Sequence, residues 1–409
     1  MTPLRALPAL LLAAACAKGP AGPPIVERDS AGIAIIEHSA AALRDAPAWH
    51  TGAPTVTIAG AVDDQVTFAR IVGGTRLSDG RILAIDIDNG ATRPLLFGRD
   101  GTLERTLGRP GSGPGEFRFA WITGVLPGDT IVFYDMTAVR VTRMLPDGHL
   151  VDTRPAGSFG PMDVGLTTGR LSDGRIVALP FALTDSGMGD GVVYRARNAV
   201  TAIDPVRQTL DTLSTEVPSP ERFMTHRSFG GEAVSFPAPA PYGSLSLVTP
   251  AGDRLLVATN ERPDVVTYSL PWQARRIVRF DRERLPVKRA DRDAYINYNL
   301  TEIERRSARL GAMKEMLIKD TKEALFPDSM GYYASLLLAT DSSLWVAEMR
   351  SLRDSTPTHL IIGADGHLRA RISLPPDARL LWAGSDEVLI IMRDQDDVER
   401  LELRPIVKR

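Results

Sequence analysis

The chain has 409 residues, 44% of them hydrophobic and 24% charged, with a formal net charge of −2. That is the composition of a folded globular protein, and with no basic excess it carries no electrostatic footprint for nucleic acid. A single cysteine excludes an internal disulfide framework and a cysteine-cluster metal site, while 35 glycines and 30 prolines demand frequent turns.

At the N-terminus, Arg5 precedes an apolar run from Ala6 to Ala15. The run matches a secretory signal and is too short to span a bilayer, which takes about 20 residues. Ala13-Ala14-Ala15-Cys16 resembles the bacterial lipobox. The resemblance implies that Cys16 is acylated and becomes the mature N-terminus, several acyl chains anchoring stably where one does not. The expected organisation is a lipoprotein signal peptide over 1–16, a tether and lead-in over 17–54, and a folded body over 55–409. The expected location is the bacterial cell envelope after export, with the lipid anchor as the only membrane contact.

Beyond the lead-in, a polar turn followed by an apolar strand recurs. Leu77-Ser78-Asp79-Gly80-Arg81 leads into Ile82-Leu83-Ala84-Ile85-Asp86, and Leu171-Ser172-Asp173-Gly174-Arg175 into Ile176-Val177-Ala178-Leu179. Between them Pro127-Gly128-Asp129-Thr130 precedes Ile131-Val132-Phe133-Tyr134-Asp135. Three further copies begin near Gly252, Ser342 and Gly384, and anchors at 81, 130, 175, 254, 343 and 387 give a unit of about 45 residues. Second hairpins turn at Asp100-Gly101, Asp147-Gly148 and Asp365-Gly366, and at Asp204-Pro205 and Leu270-Pro271. Two spacings are long. The first excess, 214–241, is rich in Pro, Ser and Gly without strand alternation. The second, within 281–331, contains a Pro-free stretch over 287–325 that reads as helix, broken at Gly311, with a capping box at Thr301-x-x-Glu304. The last unit lacks its outer strand, and Thr55-Val56-Thr57-Ile58 is free to supply it, closing a ring. The expected fold is therefore all-β: a six-bladed β-propeller of four-stranded blades, closed by an N-terminal strand, with a small α-helical insertion.

Arg81 to Phe117, with Arg93-Pro94-Leu95-Leu96-Phe97 and Gly108-Arg109-Pro110-Gly111-Ser112-Gly113-Pro114-Gly115-Glu116-Phe117, resembles an NHL-type propeller repeat. Arg28-Asp29-Ser30-Ala31-Gly32-Ile33 is similar to the opening of bacterial six-bladed propeller lipoproteins. The resemblance implies the fold and no particular activity.

The glycine-rich loop at 108–117 lacks the lysine and Ser/Thr of a phosphate-binding P-loop, so it reads as an inter-blade connector with Phe117 packed between blades. No HExxH, Gly-x-Ser-x-Gly or EF-hand run occurs. Among the six histidines His226 stands out, because it lies in the first insertion beside Arg227 and Glu232.

Topology then places a site. The Asp-Gly turns fall between a blade's first and second and its third and fourth strands, which trims one face. Both insertions, and the long loops 180–191 and 350–358, share the other face, where binding groups concentrate on a rigid scaffold. Candidate ligand-binding residues at that mouth are Asp86, Asp135, His226, Arg227, Glu232, Arg262 and Arg350. The expected partner is an envelope protein or a small polar ligand. No cofactor is expected, and the alternative is an envelope hydrolase or lyase of propeller type with a cation such as calcium at the central channel.

Overall fold

The computed structural model describes residues 24–58, 66–160, 164–180, 191–229, 232–305, 307–311, 313–393 and 398–408; for 227–229, 232–234, 308 and 309 it describes the backbone alone. The signal segment with Cys16 lies outside the described residues, as does most of the 180–191 loop.

Antiparallel four-stranded units follow one another along the chain, their strands labelled A to D in chain order. Unit 1 comprises Ile71–Arg76, Ile82–Asp88, Ala91–Phe97 and Leu103–Thr106. Unit 2 comprises Ala120–Val125, Ile131–Asp135, Arg140–Met144 and Leu150–Pro155. Leu166–Arg170, Ile176–Leu179, Arg197–Asp204 and Thr209–Pro218 make unit 3. Leu247–Ala251, Arg254–Ala258, Asp264–Ser269 and Gln273–Phe280 make unit 4. Unit 5 runs Tyr333–Leu338, Leu344–Glu348, Thr358–Ile362 and Leu368–Ser373. Unit 6 has Arg379–Ala383, Glu387–Arg393 and Glu399–Val407, and its fourth strand is Val56–Ile58, pairing Ile58 with Leu401 and Val56 with Leu403.

The B strands carry continuous apolar runs, such as Ile82-Leu83-Ala84-Ile85 and Ile131-Val132-Phe133-Tyr134, because each unit is sandwiched between two others and both faces of its sheet are buried. Leu83, Ile85 and Leu96 of unit 1 meet Ile131 and Phe133 of unit 2, with Phe117 between them. Ile82, Ala84, Leu95 and Phe97, on the other face, meet Leu389, Ile391 and Leu401 of unit 6, and Ile58. The A strands pack in cyclic order, unit 6 returning to unit 1, which is a propeller-type arrangement. Asp-Gly turns close the hairpins, with Gly101 and Gly148 both at φ 87°, a conformation glycine adopts without a Cβ clash.

Three segments differ from the sequence expectation. From Ile25 the lead-in is structured: the hairpin Ile25–Ser30/Ile33–His38 runs parallel to strand D of unit 4 and extends that sheet to six strands. Ala48–Thr51 then bridges unit 5 and unit 6. The physical cause is the apolar content of Ile33–His38, in which Ile35, Ile36 and His38 are buried against the body. The first insertion is not an irregular loop. Strand D of unit 3 continues to Pro218, and Arg222–Phe229 pairs with Glu232–Pro239 as a hairpin. In the second insertion the helices span Arg289–Arg305, Ser307–Leu310 and Met313–Lys322, and Gly311 (φ 51°) separates the last two. Thr301 does not cap a helix there; it sits inside the first one, its hydroxyl donating to the Asn297 carbonyl at 2.9 Å.

Candidate functional site

Both insertions meet on the face opposite the Asp-Gly turns. Tyr242, the residue that follows the first, packs edge-on to Tyr295 of the long helix (centroids 5.9 Å apart), and Tyr295 packs edge-on to Phe326 at 5.5 Å. Val287 and Met330 complete this cluster, with Met349 of unit 5 against it. The polar ties run through Asp291. Its backbone carbonyl accepts the Tyr242 hydroxyl at 3.1 Å, and its carboxylate accepts the Ser351 hydroxyl at 2.6 Å and the Lys288 N–H at 2.9 Å. The Ser351 hydrogen bond, then that N–H and the Arg353 charge, outweigh desolvation and hold the Asp291 carboxyl below its usual range. Lys288 thus sits at the N-cap position of the long helix, and through Asp291 the first turn is tied to the loop carrying Ser351 and Arg353.

Beside this junction lies a pocket of about 390 Å³, lined by five basic side chains (Arg282, Lys288, Arg350, Arg353 and Arg371) and three acidic ones (Asp291, Glu348 and Asp354). Glu348 ends strand B of unit 5 and is nearly buried. Its carboxylate accepts Arg282 at 2.7 Å, Thr358 at 2.8 Å and Arg371 at 3.2 Å. Burial works to raise its pKa, but Arg282, the Thr358 hydroxyl and Arg371 together hold it below the usual value. Glu348 thus fixes two guanidinium groups, while Arg350 donates to the uncharged Asp354 carbonyl and Arg353 approaches Asp291 only to 3.7 Å. A floor of Met330 and Met349 and a cationic rim suit a small ligand with an anionic group.

Of the residues singled out in the sequence, Arg350 alone lines this pocket. Asp86 is fully buried, accepting the Ala69 and Arg70 N–H groups at 3.0 and 2.7 Å and the Arg93 guanidinium at 2.6 Å. Asp135 likewise accepts the N–H groups of Arg118, Phe119, Thr137 and Ala138. Both carboxylates are taken up in holding inter-unit connections, not in presenting oxygens to a ligand. His226 is exposed on the hairpin, its Nδ1 2.9 Å from the Ser235 hydroxyl. The side chains of Arg227 and Glu232 lie outside what is described, and Arg262 is exposed in the loop leading to strand C of unit 4. The glycine-rich loop binds its own chain: Glu116 accepts the Gly113 N–H and the Arg109 guanidinium, each at 2.7 Å.

No protein-family model matches the chain, and no curated protein matches it. Among solved structures it is similar to a Bacteroides fragilis protein named as exported, at 12% identity and TM-score 0.47, covering 92% of this chain and 99% of that one. A Bacteroides vulgatus member of the DUF4221 family matches at 8% identity and TM-score 0.45, over 87% and 98% of the two chains. A Xanthomonas campestris gluconolactonase matches at 12% identity and TM-score 0.39, over 88% and 99%.

Among the described residues no group of three or more His, Cys, Asp or Glu side chains is placed to hold a metal ion. The residues sequence reasoning missed are Arg282, Lys288, Asp291, Glu348, Arg353 and Arg371. The one signal available was the length of the loop after strand B of unit 5, which carries both Arg350 and Arg353.

Proposed function

We propose that the chain is an exported, lipid-anchored protein of the bacterial cell envelope, a closed six-bladed propeller that binds a small anionic solute through its loop-decorated face. The observation that supports the binding role is the convergence of the second insertion and unit 5, with its 350–358 loop, on one pocket with more basic than acidic side chains. A guanidinium group recognises a carboxylate or phosphate by two parallel hydrogen bonds, and Arg350 and Arg353 each offer one at the rim. The signal-like segment ending at Cys16 supports the location, and the cyclic packing of A strands supports the blade count. The role needs neither a cofactor nor a chemical step.

The test is calorimetric titration of the purified full chain with succinate and with inorganic phosphate at low salt. Arg350→Gln combined with Arg353→Gln is expected to weaken whichever anion binds by about a hundredfold, two charged hydrogen-bonding groups being lost. Binding by the double variant equal to that of the parent rejects the pocket. For location, Cys16→Ser is expected to move the protein from the membrane fraction to the soluble fraction.

A further inference from the structure

On the opposite, trimmed face, unit 4 and unit 5 part to leave a cleft of about 370 Å³. One wall is Leu256, Val265 and Val278 of unit 4, and the other is Leu338, Leu344 and Ile362 of unit 5. Four of these six, Val265, Val278, Leu344 and Ile362, are at most 6% exposed and belong to the core between the two units, so the cleft continues that core outward, unfilled. It stays open because the turns around its mouth supply small residues, Ala251, Gly252, Ser342 and Ala364 among them. Its outer edge is shut where the C–D turn of unit 5 meets the N-terminal hairpin. A Cβ on Gly366 would lie 2.6 Å from the Ile36 side chain. Two arginines stand at the mouth. Arg276 donates to the Ala364 carbonyl at 2.6 Å, a neutral acceptor, and Arg254 is 55% exposed with Asp253 3.8 Å away. The volume falls in the range of small-molecule sites, about 300–1,000 Å³.

We infer that this cleft is a second binding site, separate from the decorated face, and that it takes an amphipathic carboxylate: an alkyl chain between the apolar walls and an anionic head at Arg276 and Arg254. The charge distribution selects that occupant. A purely apolar ligand brings the two guanidinium groups no anionic partner, and a small hydrophilic anion leaves the space between the apolar walls unfilled. Arg276 is set to recognise the head because its position is fixed by the Ala364 carbonyl, so little side-chain entropy is lost on binding.

The experiment titrates the full chain with three probes: decanoate, decanol, which has the chain without the charge, and acetate, which has the charge without the chain. Decanoate is expected to bind at least about tenfold more tightly than either of the others. Arg276→Gln is expected to weaken decanoate about tenfold and leave decanol unchanged. Thr267→Phe, which puts a ring into the cleft, is expected to abolish decanoate binding while far-UV circular dichroism stays that of the parent. Equal binding of decanoate and decanol, or decanoate binding that survives Thr267→Phe, overturns the inference. So does a concentration-dependent dimer, blocked by Thr267→Phe and unaffected by decanoate, because a second copy is then the occupant.

Discussion

Asp86 and Asp135 hold the same place in successive units, and in both the carboxylate is consumed by backbone N–H groups of the connection that enters the unit. A variation on the device recurs in unit 6, where Glu399 reaches the Ile71 N–H at 2.5 Å, and in unit 4, where Asn260 bridges Leu245 and Tyr333. Asp86→Ala strands two N–H groups and a guanidinium, so it is expected to lower the unfolding free energy by about 3 kcal/mol in urea titration. Anion binding by the surviving folded protein should be unchanged, because Asp86 touches nothing in the pocket. His359 makes a different residue-scale prediction. It is 4% exposed beside Trp345, and burial pushes its pKa down to about 4, with Arg350 adding to the shift and Glu348 opposing it. The unfolded chain takes up this proton near pH 6.5 and the folded chain only near 4. Stability therefore falls as pH drops through that window, by up to about 1.4 kcal/mol per pH unit, and levels off below it. His359→Gln is expected to remove this contribution, and urea midpoints at pH 7 and pH 5 for the two proteins measure it.

Elements were legible where one physical cause dominated their sequence. The B strands could be read because a sandwiched sheet needs apolar residues on both faces, and Ile131 to Asp135 are all buried. The helices could be read from a stretch without proline, and their break from Gly311. The hairpin Arg222–Phe229/Glu232–Pro239 was missed because it forms a two-stranded sheet of its own, apart from the four-stranded units, so its sequence carries no clear apolar period of two. Its signal was Gly230-Gly231 between the two halves, a composition suited to a two-residue turn. The site was harder. Arg350 was found because its loop is long, but Glu348, Arg282 and Arg371 come from three segments that only the packing of unit 4 against unit 5 joins. Asp86 and Asp135 looked like site residues because they are carboxylates at a mouth, although recurrence at one repeat position is the mark of a structural role. Asp291 tests the element-scale account. It ties the long helix to unit 5 through Ser351 and organises that helix's first turn through the Lys288 N–H. Asp291→Ala is expected to cost about 2 kcal/mol of local stability, seen as a roughly thirtyfold rise in protease cleavage within 289–322. The global urea midpoint should move little, because the inter-unit cores do not include these helices.

At the scale of the whole molecule, the decisive contact joins two ends of the sequence. Units that touch only their neighbours form a one-dimensional array, in which an open chain can fray from either terminus. Val56–Ile58, paired with Glu399–Val407, removes those termini from the array, and Ala48–Thr51 adds a second link between unit 5 and unit 6. Ile58 is 5% exposed among Phe97, Leu389, Leu401 and Leu403, so it belongs equally to the first unit and the last. Replacing it with aspartate removes that packing and brings a charge into an apolar cluster, which costs about 4 kcal/mol. The larger effect expected is on cooperativity. In the parent, tryptophan emission and far-UV circular dichroism should trace one coincident urea transition. Trp49 and Trp382 lie at the seam, in contact with the cores on either side of unit 6. In Ile58→Asp the emission change should therefore precede the loss of sheet, as units flanking the seam open before those opposite it. Coincident transitions in the variant, merely shifted to lower urea, would show that the seam contributes stability without coupling the ring.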